Sequence, residues 1–480
     1  MLTSRFAAAN LDRNAGGPGY AELVDALAAD DKSRTDFLKA CLSKLGLQVT
    51  SDETSTVPSL STMHMSSLDP ADTAKTVQSW QEYITKDGDV EYFSDANDTF
   101  RLERPDVWSM DKLEESLPPV QRHENNQGMV DYNAVVKRLA VHDELPSAKA
   151  TPYFNHNAYY ANLRHYQALS KEGASEFGSN LLYAEVITST NTILEKNPKL
   201  LRSLPNGFTA TATTQVAGRG RGSNVWVSPS GSLIFSTVVR HPVDKIQSSP
   251  IVFIQYLAAM AVVKGIKSYD RGYDKLPVKV KWPNDVCMFP RKENEKKKKK
   301  KKKTDKIDAL DPSDPSGKRY TKICGILVNS HFSSTDYVSV VGIGINATNS
   351  SPTTSLSALV SHFLPSRTAS TDPITLEKLL ARIVSTYEEL YARFLRTGFD
   401  RTFEELYYDD WLHMHQVVTL EEEGGAKARI KGITRDYGLL LAEELTTAWD
   451  GSLRATGKVW QLQSDSNSFD FLKGLVKRKV

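Results

Sequence analysis

The chain has 480 residues, 40% of them hydrophobic, and 60 Lys and Arg stand against 58 Asp and Glu for a formal net charge of +2. That length and apolar share allow a large core spread over roughly two to four domains. The longest apolar stretch, Ile251 to Val263, is broken by Gln255 and is too short to cross a bilayer. Cys41, Cys287 and Cys324 form no C-x-x-C pair, which argues against a disulfide framework or a cysteine zinc site. Together with an opening that lacks an apolar leader, these features lead us to expect a cytoplasmic protein with no membrane partner.

Residues 1–150 are polar, with helical patterns in "YAELVDALAA" and "SRTDFLKACLSKLGL" and a Ser/Thr/Asp-rich tract at 51–78, so a helical and linker extension is expected there. From Thr151 the character changes. Aromatic-rich "TPYFNHNAYYANL" leads to strand-like "AEVIT", and the apolar run 251–266 reads as a buried helix. "VKVKWPNDVCMF", "KICGILVNSHF" and "VSVVGIGINA" read as strands of an α/β or α+β core occupying 151–405. Between the first two of these lies the charged, aromatic-free insert 291–318, expected to be a disordered loop. Its lysine run 296–303 masks an otherwise acidic body, because removing those eight charges from +2 leaves −6. Apolar positions 376, 379, 380, 383, 384, 387 and 390 predict an amphipathic helix from Leu376 to Arg396. The short β-like runs within 406–480 predict a small barrel or sandwich.

The stretch "QVAGRGRGSNVWVSPSGSLIFS" carries the densest chemistry. Glycines at 218, 220 and 222 let another molecule approach the backbone, while Arg219 and Arg221 offer planar charged forks suited to carboxylates and phosphates. No helix follows, as a dinucleotide fingerprint requires, and no Gly-Lys-Ser/Thr, as a P-loop requires. On its own the loop reads equally as an anion clamp or as an Arg/Gly-rich surface or nucleic-acid-binding tract.

Four further signals fall on the same core: Ser189-Thr190-Asn191 after a strand, "KWPND" from Lys281 to Asp285, Lys322 ahead of "CGILV", and "GIGIN" ending at Asn346. In this order they resemble the catalytic domain of the biotin protein ligases, the holocarboxylase synthetases, over about residues 151 to 475. The resemblance implies a class II synthetase-like core with a mixed sheet and flanking helices, a small C-terminal SH3-like barrel and a polar N-terminal extension. It implies ATP and biotin as substrates with Mg²⁺, and as partners the biotin carboxyl carrier domains of acetyl-CoA carboxylase and pyruvate carboxylase type enzymes. It assigns Ser189, Thr190, Asn191, Gln215, Gly218, Lys322 and Gly325 to biotin. To the nucleotide it assigns Arg219, Gly220, Arg221, Gly222, Trp226, Lys281, Asn284, Asp285 and Asn346, with Asp285 also the candidate metal ligand. Lys322, Arg219 and Arg221 are the catalytic candidates, since activating a carboxylate with ATP gathers anions that need a positive field.

Simpler readings stand beside these. Trp226 serves equally as a core tryptophan, Asn284, Asp285 and Asn346 as turn residues, and His413 and His415 as structural rather than metal-binding groups. Ser223 stands where the family often has another glycine. The terminal "NSFDFLKGLVKRK" resembles the end of eukaryotic members, and no helix-turn-helix precedes the core, so DNA binding is not implied. A lipoate ligase is the nearest rival, and a basic nucleic-acid-binding module is a rival from another class.

Overall fold

The computed structural model describes residues 59–103, 134–220, 224–288, 321–350, 354–364, 373–463, 467–470 and 475–478, with Asp36, Lys39, Ala40, Lys44 and Tyr132 besides. The lysine-rich insert, most of both N-terminal helical patterns, Arg221, Gly222 and Ser223 lie outside the described residues; Asp36, Lys39, Ala40 and Lys44 are helical. The chain divides into two units, Met1–Ser59 with Ser109–Ala134, and Leu60–Trp108 with Val135–Val480. Among the described residues, every strand belongs to the second unit.

Its first strands are β1 (Met63–Ser67), β2 (Ile84–Asp87), β3 (Val90–Ser94), β4 (Thr99–Glu103) and β5 (Lys137–Val141), with helix α1 (Pro70–Gln78) after β1. Helix α2 (His156–Ala168) precedes β6 (Asn180–Ile187), α3 (Thr190–Glu195), α4 (Pro198–Ser203), β7 (Thr209–Gln215) and β8 (Leu233–Pro242). Then come α5 (Phe253–Lys267), β9 (Val278–Lys281), β10 (Asp285–Met288), β11 (Thr321–Phe332), β12 (Asp336–Ile345), α6 (Leu356–Phe363), α7 (Leu376–Thr397) and α8 (Arg401–Asp409). These twelve strands form one sheet in the order β2-β3-β4-β5-β1-β6-β7-β8-β12-β11-β10-β9. It is mixed, with β1–β5, β4–β5 and β6–β7 parallel and the other pairs antiparallel.

Five strands in 63–141 correct the expectation of a helical and linker extension running to residue 150. β1 pairs antiparallel with β6, Met63 opposite Ala184, so there is no break in the sheet at that boundary. Buried Asp98 ties this region down further. It forms an ion pair with Lys137 at 2.6 Å, and its Oδ2 accepts from Asn197 Nδ2 at 2.7 Å. The strands escaped the sequence reading because they are four or five residues long and one of them, Ile84–Asp87, exposes most of its side chains. A pattern of alternating burial needs more length to declare itself.

One face of the sheet packs against α2, α5 and α7. Helix α5 is apolar almost all round and almost wholly buried, as a helix between sheet and outer helix must be. Helix α7 runs one residue past the amphipathic pattern. On the other face, a second core gathers Ile193 and Leu194 of α3, Leu200 and Leu201 of α4, and Ile234 and Val238 of β8.

The C-terminal strands β13 (Val417–Leu420), β14 (Ala426–Ile433), β15 (Leu440–Thr447), β16 (Leu453–Leu462), β17 (Asn467–Asp470) and β18 (Leu475–Arg478) make a six-stranded sheet in the order β16-β15-β14-β13-β18-β17. It is antiparallel except where β13 meets β18. Val418, Leu420, Ala428 and Ile430 belong to the same contiguous core as α5 and α7. His413 stitches the two sheets together: its Nε2 accepts from the Trp282 backbone N–H at 3.0 Å. Its Nδ1 therefore carries the proton and donates to Gln416 Oε1 at 3.1 Å. Burial pushes its pKa down to about 3, so it is a neutral structural histidine.

Candidate active site

The site candidates collect on the sheet face that carries α3. Helix α3 is short and starts at Ser189, whose Oγ accepts from Thr192 N–H at 3.4 Å as an N-cap. Thr190 donates to Gln215 Oε1 twice, from its backbone N–H at 2.8 Å and its hydroxyl at 3.1 Å. With that proton committed, the Ser236 hydroxyl donates to Thr190 Oγ1 across 3.0 Å. Gln215 Nε2 in turn donates to Ser228 Oγ at 3.0 Å. A buried polar net thus joins α3, β7, β8 and the end of the arginine loop.

The described ends of the loop, 218–220 and 224–226, pair with each other. Trp226 N–H donates to Gly218 O at 2.9 Å and Gly220 N–H to Asn224 O at 2.8 Å, with a bridge between Arg219 and Val225. A side chain at 218 would collide with the Trp226 carbonyl oxygen, which is why glycine stands there. Trp226 returns the hairpin to the sheet. Its indole lies on Gly344 of β12 and its neighbour Gly325 of β11, where an added Cβ would sit 2.6 Å and 2.9 Å from the ring. The Lys322 ammonium is 5.8 Å from the indole centroid. Glycines 342 and 344 alternate along β12, so that face lacks side chains of its own there, and Asn191, Ser236 and Trp226 pack directly over the strand. This period-two spacing was visible in "GIGIN", but the sequence reading used only its asparagine.

Arg219 and Lys322 are each held by a carboxylate. Arg219 Nη1 lies 2.7 Å from Glu195 Oε2 at the far end of α3, with Glu195 only 8% exposed. Burial alone would raise the Glu195 pKa, but hydrogen bonds from Lys196 and Arg219 outweigh it and hold the carboxyl below its ordinary range. Lys322 Nζ lies 2.7 Å from Asp285 Oδ1. Lys281 faces Asp285 across the β9–β10 hairpin, so the "VKVKWPNDVCMF" run is a hairpin rather than one strand. Asn284 Nδ2 donates to Ile326 O at 2.5 Å. Asn346 donates through its backbone N–H to Ile323 O at 2.8 Å. Both asparagines therefore sit at the same end of β11 as Lys322, Asn284 in the turn between β9 and β10 and Asn346 extending the β11–β12 pairing by one bond. The neighbouring thiols are inert: burial raises Cys287 to about 12 and Cys324 further still.

Asp285 as a metal ligand meets a competitor in the Lys322 ammonium, and among the described residues no group of three His, Cys, Asp or Glu side chains could hold a metal. Sequence reasoning gave no role to Glu195, Ser228, Ser236, Asn329 and Gly342: Ser228 and Gly342 lie within the quoted motifs but were not singled out, Ser236 and Asn329 are brought in by sheet register, and Glu195 by the Arg219 hairpin.

Comparison with known proteins places these features in context. The Biotin/lipoate A/B protein ligase family matches residues 183–346, and the family described as Biotin-protein ligase, N terminal, matches residues 2–67. The biotin–protein ligase of Schizosaccharomyces pombe is 37% identical over 349 residues, 72% of this chain and 50% of that protein. Biotin–protein ligase 2 of Arabidopsis thaliana is 29% identical over 306 residues, 63% of this chain and 78% of that protein. This chain thus spans half the length of the fission-yeast relative. A solved structure, the biotin protein ligase from Aquifex aeolicus in complex with biotin and ATP, aligns with 59% of this chain and 99% of its own at 19% identity and a TM-score of 0.38, too loose a likeness to bear on the site.

Proposed function

The chain belongs to the biotin protein ligase family, of the eukaryotic type, and we propose that it activates biotin with ATP and transfers it to a lysine of biotin carboxyl carrier domains. In the first step a biotin carboxylate oxygen attacks the α-phosphorus and the bond to the bridging oxygen breaks, giving biotinyl-5′-AMP and pyrophosphate. In the second a neutral lysine amine attacks the acyl carbon; AMP leaves with the anhydride oxygen and the amine gives up a proton.

The observation that carries this reading is the meeting on one sheet face of a buried polar net (Thr190, Gln215, Ser228, Ser236) with a glycine-rich hairpin bearing Arg219 and with Lys322. The net suits an uncharged head group that must be paired on burial, at a cost of about 1–3 kcal/mol for each group left unmatched. Arg219, Arg221 and Lys322 supply the field that offsets repulsion among carboxylate and phosphates, and the Gly218 to Trp226 loop shields the mixed anhydride from water. Asn191, Gly218 and Gly325 complete the biotin side; Gly220, Gly222, Trp226, Lys281, Asn284, Asp285 and Asn346 flank the nucleotide. Mg²⁺ would spread the charge of the triphosphate, with Asp285 the candidate protein ligand.

The same membership supports the synthetase-like core and an SH3-like closure of the C-terminal sheet. Among the described residues no helix is long and apolar enough to cross a membrane. We place the protein in the cytoplasm, where buried free Cys287 and Cys324 suit a reducing medium, and take acetyl-CoA and pyruvate carboxylases as the carrier enzymes. The test is mass spectrometry of a carrier domain incubated with enzyme, biotin and MgATP. Addition of one biotinyl group supports the reading; modification with lipoate but not biotin refutes it.

A further inference from the structure

Helices α3 and α4 have six residues each, and isolated helices shorter than about 12 residues are unstable in water. The corner between them is fixed from outside, by the turn between β3 and β4. Asn197 stands at the N-cap of α4, yet its side chain makes no cap bond there. Its Nδ2 instead donates back to Ile193 O at 3.0 Å, satisfying a terminal carbonyl of α3, and across to Asp98 Oδ2 at 2.7 Å. Its Oδ1 accepts from the Asp98 backbone N–H at 3.0 Å. The cap that Asn197 withholds comes from Asp95, whose Oδ2 accepts from the backbone N–H of Leu200, the third residue of α4, at 2.8 Å. Lys199 Nζ donates to Ser94 O at 3.0 Å, and Trp80 Nε1 donates to Ser203 Oγ at the far end of α4 at 2.5 Å. Asp98 is itself anchored, because its other oxygen pairs with Lys137 of β5, the two side chains being 1% and 3% exposed. Two residues before Asn197, Glu195 holds Arg219.

We propose that Asp95 and Asp98 are positioning residues for the adenylation step: from the β3–β4 turn they fix the α3–α4 corner, and through it the place where Glu195 holds the Arg219 guanidinium. This rests on the ATP-dependent reading above and deepens it, giving the N-terminal strands a part in the chemistry through an anchor. An ion pair between two mobile side chains contributes little, since both must be ordered to form it. Glu195 is 8% exposed and stands on a last turn whose Ile193 carbonyl is already tied to Asn197, so only the arginine, 40% exposed, loses freedom when the pair forms. Loosening the corner returns that freedom to Glu195, and the guanidinium loses its fixed direction.

The test is a double-mutant cycle on the full chain, read as pyrophosphate release with biotin and MgATP and no carrier. Asn197→Ala removes the bridge to the turn and leaves the Asp98–Lys137 pair in place. It should slow release ~2- to 30-fold, the range reached by residues that act through a packed network. Once Arg219→Ala is present it should cost nothing more, because residues that act as a unit are not additive. A merely structural role would cost the same factor in both backgrounds. Asp95→Ala, in a partly exposed turn, removes the cap on Leu200 without emptying a buried site, and serves where Asn197→Ala fails to fold. It should show a smaller loss with the same dependence on Arg219, and Asp95→Asn, whose amide oxygen still accepts from Leu200, should restore most of the rate. Thermal unfolding checks that each variant is folded at the assay temperature. Equal losses in the two backgrounds, or native rates in both Asn197→Ala and Asp95→Ala, overturn the positioning role and leave the parent reading standing. A native rate in Arg219→Ala alone, or a wild type that releases no pyrophosphate, overturns the parent reading and this one with it.

Discussion

Replacing Gly344 by alanine tests whether the sheet holds the arginine loop through Trp226. A Cβ at 344 would stand 2.6 Å from Trp226 Cε2 and Nε1 and 2.9 Å from Cζ2, closer than real Cβ atoms come, so the indole must lift. Full burial of an aromatic side chain removes roughly 150–250 Å² from water, worth about 4–6 kcal/mol at 25 cal/mol per Å². Trp226 is only partly buried, so about 2–3 kcal/mol is at stake, in line with the ~1–3 kcal/mol typical of overpacking. Gly325→Ala should cost less, its Cβ meeting one ring atom at 2.9 Å and the Lys322 Nζ at the end of a long side chain at 3.4 Å. Urea unfolding measures the loss, and trypsin cleavage after Arg219 should quicken as the hairpin comes free. The deciding measurement is the double-mutant cycle. With Trp226→Ala already in place, Gly344→Ala should be neutral, or stabilising by about 0.4–1 kcal/mol through the stiffer unfolded chain. An equal cost in both backgrounds would show that Gly344 answers to something other than the indole.

Arg219→Ala and Lys322→Ala should each slow biotinyl-AMP formation on the order of 10²–10³-fold without carrier present, read as pyrophosphate release, if they stabilise developing charge; native rates in both would remove the anion-site assignment. Replacing 293–316 with a short Gly/Ser turn should leave folding and activation intact, because loop closure changes by only about 0.6 kcal/mol per doubling of length, and lost adenylation in a folded variant would refute this. Stability should also depend on pH near β1 and β5. Burial depresses His64 and His142 to about 4 and His156 to about 3, so between their unfolded value near 6.5 and those values the unfolded state binds more protons. Stability is therefore complete above pH 6.5 and falls on acidification through pH 5, by up to about 1.4 kcal/mol per unit for each uncoupled histidine. The His64 Nδ1 to His142 Nε2 contact at 2.9 Å makes these two titrate together; His142→Asn should flatten the slope in urea titrations at pH 6.5 to 5, and an unchanged slope would place the effect elsewhere.

The long elements of the core were legible because their patterns are redundant. The run 251–266 is apolar at nearly every position and falls within a residue or two of α5, and the heptad-like spacing from Leu376 carries α7 over 22 residues. The "STN", "GRGRG" and "KICGILV" segments were found because glycines, cations and hydroxyls crowd into a few residues. What stayed hidden depends on pairing between distant strands. Asn329 reaches Asn191 only because β11 and β12 align Leu327 with Gly342 and β8 aligns Ser236 with the same residue. Glu195 is an ordinary helical glutamate until the hairpin lays Arg219 against it. The C-terminal strands were visible as strands, but their merger with the core of α5 was not, since it rests on His413 and Trp282, which lie 131 residues apart.

Helix α3 runs only from Thr190 to Glu195, about 9 Å at 1.5 Å per residue. Its first turn carries the polar groups assigned to biotin, and its last residue anchors Arg219. A peg this short has no internal joint: a ligand that tilts one end must displace the other, and the arginine's tether moves with it. Under the proposed function, whatever free energy biotin would deliver to the nucleotide end along this peg, the nucleotide would return in equal measure to biotin, because linkage between two binding events has no preferred direction. On that proposal six residues suffice to make the order of arrival of the two substrates a matter of rates and concentrations rather than of separate compartments.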